Sequence, residues 1–305
     1  MAQKKTYPCH YLADELKKRG WHQIDYMTID TEGSELALIE DFPWNDFDIR
    51  VVQIEQLSEI RYAAQKGRKD KIIRHMESAG YKLLSVYPVA TGDTDDIIMT
   101  RNVDHFLEQA PAHKYDGDYT KALRKSNTVG VGNNSPLQLP GVAGPRQGQP
   151  VDANKDSDGT CACSEPRGWT SQARQDEYIW HRVLRPQNLC CRGIYVEFGA
   201  RNGIEHSNTY TMEKFQGWKG LLAEVDAREN PNLKKNRPNA DVIMGPFCPK
   251  SQDHVNIVMS KFGGWTGSEV GYGKGFLRIA NKFVKEVDNF VSYPMFALNT
   301  RTIPT

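Results

Sequence analysis

Along the first hundred residues the apolar positions switch between two periods. The segment "YLADELKKRG" sets Leu12 and Leu16 one helical turn apart and stops at Gly20, which predicts a helix. The runs "IDYMTID" and "RVVQIEQ" are short and rich in branched apolar residues, so they predict strands. Between them "SELALIEDF" predicts a helix that Thr31 or Ser34 could cap. In "KDKIIRHMESAGY" the residues Ile72, Ile73, Met76 and Ala79 fall at helical spacing before Gly80. The runs "YKLLSVYPV" and "DDIIMTR", split by "ATGDT", predict a hairpin. Strand, helix, strand, helix and hairpin together predict the second half of a doubly wound α/β sheet with an antiparallel edge.

Residues 103–168 lose this periodicity and fill with Gly, Pro, Asn and Asp, which predicts a disordered linker. Periodicity returns at Trp169. A helix is expected over "SQARQDEYIWHRVL", and strands over "GIYVEFGARNG", "GLLAEVD" and "ADVIMGPF". Then come an expected helix "DHVNIVMSKF", a glycine-rich loop "GGWTGSEVGYGKG" and a last strand around "NFVSYPMF". This half predicts the beginning of a doubly wound sheet, placed at the end of the chain.

Composition narrows the function classes. The 305 residues carry 39 basic and 38 acidic side chains, a net charge of +1, so no chain-wide basic field attracts nucleic acid. No apolar run approaches the roughly 20 residues of a bilayer span, and the first residues lack the apolar core of a signal peptide. A cytoplasmic, reducing setting is the resulting expectation. The six cysteines, Cys9, Cys161, Cys163, Cys190, Cys191 and Cys248, lack zinc-knuckle spacing and are expected as free thiols.

Two turns carry candidate chemistry. In "YVEFGARNG" a strand ends at Glu197, and Gly199 and Gly203 would let the backbone approach a ligand. Their spacing differs from the G-x-G-x-x-G of dinucleotide sites, which disfavours a pyrophosphate and a nicotinamide cofactor. Glu224 and Asp226 end the next strand, where a carboxylate accepts ribose hydroxyls. The second turn, "IDTEGSE", carries Asp30, Glu32 and Glu35, and Glu32 and Glu35 suit the first turn of a helix without any further role. His206 could be a base or an ordinary loop histidine, and the 263–275 loop with Trp265 and Tyr272 could be a lid or a surface loop.

The segments "SQARQDEYIW", "IYVEFGARNGIEHSNTYTMEKFQGWKGLLAEVD" and "IDYMTIDTEGSELALI" resemble signature segments of the FkbM family of S-adenosylmethionine-dependent methyltransferases. The resemblance implies a Rossmann-like seven-stranded sheet and methylation of hydroxyl oxygens on sugars and other small molecules. In the family the glycine turn precedes the "DTEGSE" turn, and here the order is reversed. Residues 1–102 would supply strands four to seven, 103–168 the linker, and 169–305 strands one to three. "YPCHYL" near the start and "YPMFAL" near the end share the form Y-P-x-x-x-L. Circular permutation accounts for both features. So does a chain holding the last half of one copy and the first half of the next, each half needing a partner.

The resemblance assigns S-adenosylmethionine to Glu197, Gly199, Ala200, Asn202, Gly203, Asn208 and Glu224, with Ser207 and Thr209 beside them. Asp30 or Glu32 would take the acceptor's proton, and Glu55 would assist or share a metal with Asp30. The expected partner is a small-molecule or glycan acceptor. The rival reading is a non-catalytic cofactor-binding or partner-dependent interaction protein. The turn "AEVD" departs from the family's Glu-Pro but keeps Glu224 in register.

Overall fold

The computed structural model describes residues 3–57, 66–88, 94–101, 166, 168–186, 189, 192–259 and 266–268. Of the expected linker, the 263–275 loop and the strand around 289–296, everything but residues 166, 168 and 266–268 lies outside this set.

Before the linker the elements are β1 (Gln3–Pro8), α1 (Leu12–Lys18), β2 (Gln23–Ile29), α2 (Glu35–Asp41), β3 (Asp48–Leu57), α3 (Arg68–Ser78), β4 (Lys82–Pro88) and β5 (Thr94–Thr100). After it come α4 (Gln175–Ile179), β6 (Ile194–Phe198), α5 (Tyr210–Gln216), β7 (Lys219–Glu224), α6 (Asn230–Asn236), β8 (Asp241–Met244), β9 (His254–Met259) and β10 (Thr266–Ser268). Seven strands form one sheet in the order β4-β5-β3-β2-β6-β7-β8. The pairs from β3 to β8 along that order are parallel, and β5 runs antiparallel to both β3 and β4. The expected Rossmann-like α/β sheet with an antiparallel edge is therefore present.

The two halves meet inside this sheet. β2 pairs with β6 in parallel, Tyr26 opposite Tyr195 and Thr28 opposite Glu197. Strands buried on both faces read as nearly continuous apolar runs, and β2 alternates its load between two cores. Met27 and Ile29 join α1, α2 and α3 through Leu16, Ile39 and Ile72. Tyr26 faces the other way, into Ile179, Trp180 and Met212 on the α4 and α5 side. Polar bonds complete the junction. Asp25 accepts from the Ile194 amide at 2.8 Å and from Arg50 at 2.8 Å, and Arg19 reaches Asp241 at 2.7 Å.

Several local expectations change. The helix expected over 253–262 is the strand β9 where it is described, paired antiparallel with β1, itself unexpected, and with β10. Branched Val255 and Ile257 bury one face of it against Cys248, Tyr7 and Val225, and this packing overrides a helical reading. Neither Thr31 nor Ser34 caps α2 with its side chain. Glu35 reaches back, and its Oε1 accepts the Thr31 amide (3.0 Å), the Thr31 hydroxyl (2.9 Å) and the Gly33 amide (2.8 Å). The helix expected from Ser171 starts at Gln175, because Asp176 folds the chain back by accepting the Thr170 and Ser171 amides at 2.7 and 3.3 Å. It then runs into a π turn at Trp180–Leu184.

Cys9 and Cys248 are not free thiols: they form a disulfide across a sequence separation of 239. The other four cysteines lie outside the described residues. The bond staples β1 to the segment that follows β8, beside the backbone bonds His10 N to Pro246 O (2.9 Å) and Cys248 N to His10 O (3.0 Å). A cross-link closing so long a loop restricts the unfolded chain strongly. The double variant Cys9→Ser, Cys248→Ser is expected to lose about 2–4 kcal/mol of stability. Urea titration of the variant and of the reduced wild-type chain should give the same lowered midpoint. A variant midpoint equal to that of the oxidised wild type would refute a stabilising role.

Candidate functional site

Open α/β sheets bind ligands outside the carboxyl ends of their strands, where the strand order reverses. Here the reversal falls between β2 and β6. A cleft enclosing about 850 Å³, open solvent included, lies there, lined by Asp30 after β2, Phe198 and Gly199 at β6, and Ala223 and Glu224 at β7. Gly245, Pro246 and Phe247 after β8 and Ile257 of β9 also line it. The disulfide-stapled ribbon thus supplies part of the cleft.

Asp30, Glu32 and Glu55 converge at one end, half-buried, with one oxygen from each within 4.8 Å of the others. Three carboxylates at that spacing can hold a divalent cation through hard oxygen ligands. They can equally share a proton. Glu55 is hydrogen-bonded to Asp30, and burial followed by the charges of Asp30 and Glu32 pushes its carboxyl well above the usual range. Burial also raises Asp30, opposed by the bond from Glu55 and by the nearby His206 and Arg201. Two like charges so close do not both ionise easily. Burial favours a single proton between the two, and the stronger upward push falls on Glu55. Glu32 sits in a left-handed conformation, φ 54°, at which a non-glycine residue is uncommon.

Beneath this cluster Asp96 of β5 stands opposite Glu55 and accepts from Gln53 and Gln175, each at 3.0 Å. Burial pushes its carboxyl up to about 7. Gln53 also accepts from the Tyr26 hydroxyl and lies 3.5 Å from Asn208, whose amide reaches Thr28 at 3.5 Å. Asn208 thus belongs to the buried floor and is not among the residues lining the cleft.

Glu224 lines the cleft, and its two oxygens accept the Arg201 and Asp226 amides, both at 2.7 Å. Asp226, also in the wall, is gripped by Arg228 at 2.7 and 2.9 Å; burial raises its carboxyl, and Arg228 outweighs that to leave it below the ordinary value. Gly199, at φ 71°, passes so close to β2 that a Cβ would lie 2.8 Å from the Asp30 carbonyl oxygen. Gly203, at φ 83°, lies against α6, where a Cβ would meet Arg237 at 2.7 Å and Leu233 at 2.8 Å. In both, the close approach that excludes a side chain is to protein.

Glu197 is not among the cleft-lining residues. Its carboxylate accepts the Asn208 amide (2.7 Å) and the Ser207 and Thr209 hydroxyls (2.9 and 2.5 Å), and lies 3.6 Å from the buried Arg237 guanidinium. Asn202 is likewise a turn residue: its side-chain oxygen accepts the Ile204 and Glu205 amides at 3.0 and 2.9 Å. The Ala200 amide bonds to the Ala223 carbonyl at 3.1 Å, locking the glycine turn onto β7. Of the expected residues, Asp30, Glu32, Gly199 and Glu224 line the cleft and Glu55 adjoins them; Glu197, Ala200, Asn202, Gly203 and Asn208 stand behind it.

The sequence reading passed over Arg201 and the Gly245–Phe247 wall. Arg201 lies inside the glycine turn, and its signal in the sequence is a cation among acids. The Gly-Pro after β8 marked a turn at a strand end. His206 sits at φ 64° with Nδ1 2.8 Å from Arg201 NH1, and burial, then Arg201, lowers its pKa.

Residues 2–83 match the family model described as the methyltransferase FkbM domain. The match spans β1 to the start of β4 and includes Asp30, Glu32 and Glu55. It supports a methyltransferase. A search of curated proteins finds no match. No helix among the described residues is long and apolar enough to cross a membrane.

Proposed function

We propose that this chain is an S-adenosylmethionine-dependent methyltransferase acting on a hydroxyl oxygen of a small molecule or glycan, its domain built from two halves in circularly permuted order. The observation that carries the reading is the acid-lined cleft at the β2/β6 reversal, with strands from both halves contributing to it. The β2/β6 pairing joins the two halves into one sheet, as the permuted assembly requires.

The residues fit the cofactor by their chemistry. Glu224 and Asp226 offer carboxylates for ribose hydroxyls, and Phe198, Val225, Phe247 and Ile257 offer apolar walls for a flat base. When bound, S-adenosylmethionine supplies a methyl group made electrophilic by a positively charged sulfur. Asp30 supplies the base: its carboxylate takes the proton that the acceptor hydroxyl must lose as its oxygen gains carbon. Glu55 holds Asp30 in place and spreads its charge through their hydrogen bond. The acids lining this cleft favour a cationic cofactor over a dianionic pyrophosphate. The disulfide fits an oxidising compartment better than the reducing setting expected from sequence.

Calorimetric titration of the purified chain tests the reading. Saturable one-to-one binding of S-adenosylmethionine, with no heat from NAD, is the expected result. A folded chain that binds NAD and ignores S-adenosylmethionine would sink it.

A further inference from the structure

Arg201 is the one basic residue among those lining the cleft, which also include Asp30, Glu32, Glu224, Asp226 and Glu229. With so many acids nearby, an ion pair would be easy to form. Yet among the described residues its guanidinium makes one side-chain hydrogen bond, Nη1 to His206 Nδ1 at 2.8 Å. That contact makes Nδ1 the acceptor and leaves most of the five guanidinium N–H donors uncommitted. The backbone holding it is costly: Arg201 lies at φ 48° and His206 at φ 64°. A left-handed L-residue sacrifices roughly 1–2 kcal/mol, and glycine would occupy the place at no such cost. Strain of this kind clusters where function requires it. The Arg201 amide, bound to Glu224 at 2.7 Å, fixes the side chain's origin between β6 and β7.

We propose that the Arg201 guanidinium clamps the α-carboxylate of the cofactor's methionine moiety, with His206 orienting it. The inference rests on the S-adenosylmethionine reading above. A ligand bearing a sulfonium, an ammonium and a carboxylate needs acids for the first two and a cation for the third. The cleft supplies five acids and one arginine. A planar fork binds a carboxylate in two-point fashion, which a lysine cannot copy.

The test measures calorimetric affinities for S-adenosylhomocysteine and for its decarboxylated analogue, S-adenosyl-3-thiopropylamine, in the wild type, Arg201→Gly and Arg201→Lys. Hydrogen bonds to a charged group predict that Arg201→Gly weakens S-adenosylhomocysteine by about 10- to 100-fold, with Arg201→Lys between. The decarboxylated analogue should bind the wild type and Arg201→Gly alike. The Arg201→Gly melting temperature should equal or exceed that of the wild type, because the left-handed backbone is relieved. Equal losses for both ligands, or an undiminished affinity for S-adenosylhomocysteine, overturns the clamp alone. A wild type that binds neither ligand overturns the S-adenosylmethionine reading, and the clamp with it.

Discussion

Asp30→Asn is expected to lower the rate of methyl transfer by about 10²- to 10⁴-fold, the usual contribution of a positioned general base, while cofactor affinity and the thermal transition stay near those of the wild type. The side chains are nearly the same size, and the Asp30 carbonyl that Gly199 packs against is unchanged. Only the proton acceptor is lost. Glu55→Gln keeps a donor toward Asp30 and should cost far less. The pH profile separates the roles. Burial raises Asp30, so the wild-type rate should climb with pH along a limb displaced above the ordinary carboxylate range, and fall as Asp30 protonates. In Asp30→Asn that limb should vanish. Equal losses in the two variants, with the limb retained, would point to a cation held by Asp30, Glu32 and Glu55 in place of a base. Added chelator would then abolish the wild-type activity.

Arg237→Ala is expected to destabilise the fold by about 3–5 kcal/mol, the cost of leaving buried charges unpaired. The Arg237 side chain is fully buried, bonds Glu213 at 2.7 Å and faces Glu197 at 3.6 Å. It also donates to the Gly203 carbonyl (3.1 Å), the Ser207 hydroxyl (3.1 Å) and the Thr209 hydroxyl (2.9 Å), and lies 5.2 Å over the Tyr195 ring. Burial raises the Glu197 carboxyl and Arg237 opposes it. Removing the arginine raises it further. A carboxyl raised in the folded state stabilises below its unfolded pKa and forfeits that contribution as pH climbs through the folded value. The penalty of Arg237→Ala should therefore be larger at pH 8 than at pH 5 in urea titrations. A pH-independent penalty would show that Glu197 stays ionised without its partner. Glu197→Ala should act chiefly on stability, since its carboxylate is committed to this network and not to the cleft.

The strands and helices from Leu12 to Thr100 and the strands from Ile194 to Met244 were legible because each is specified by neighbours two, three or four positions away, whereas α5 and α6 went unmarked. The same local grammar marked Gly199 and Gly203 as places where a side chain is excluded, and Glu224 and Asp30 as acids at strand ends. It did not say what those glycines approach. The answers, the Asp30 carbonyl and the α6 side chains, come from segments far off in sequence.

What tertiary structure alone decided follows from contacts that cross the chain. Glu197 and Glu224 looked alike, each an acid closing a strand. Glu197 stands one residue inside the end of β6, on the face covered by Arg237, and Glu224 ends β7 at the cleft. Glu197 stands opposite Leu222, two positions before Glu224, so both acids share one face of the sheet, and Glu224 escapes the buried network by lying past the end of β6. β9 became a strand because β1 lies beside it to pair with, and Cys9 found Cys248 across the whole described chain. No local pattern carries such pairings. The sequence by itself determined the seven strands of the main sheet and where acids and glycines sit among them. The folded chain decided which of those acids face the cleft, because that depends on long-range register and on the one buried cation that claims Glu197.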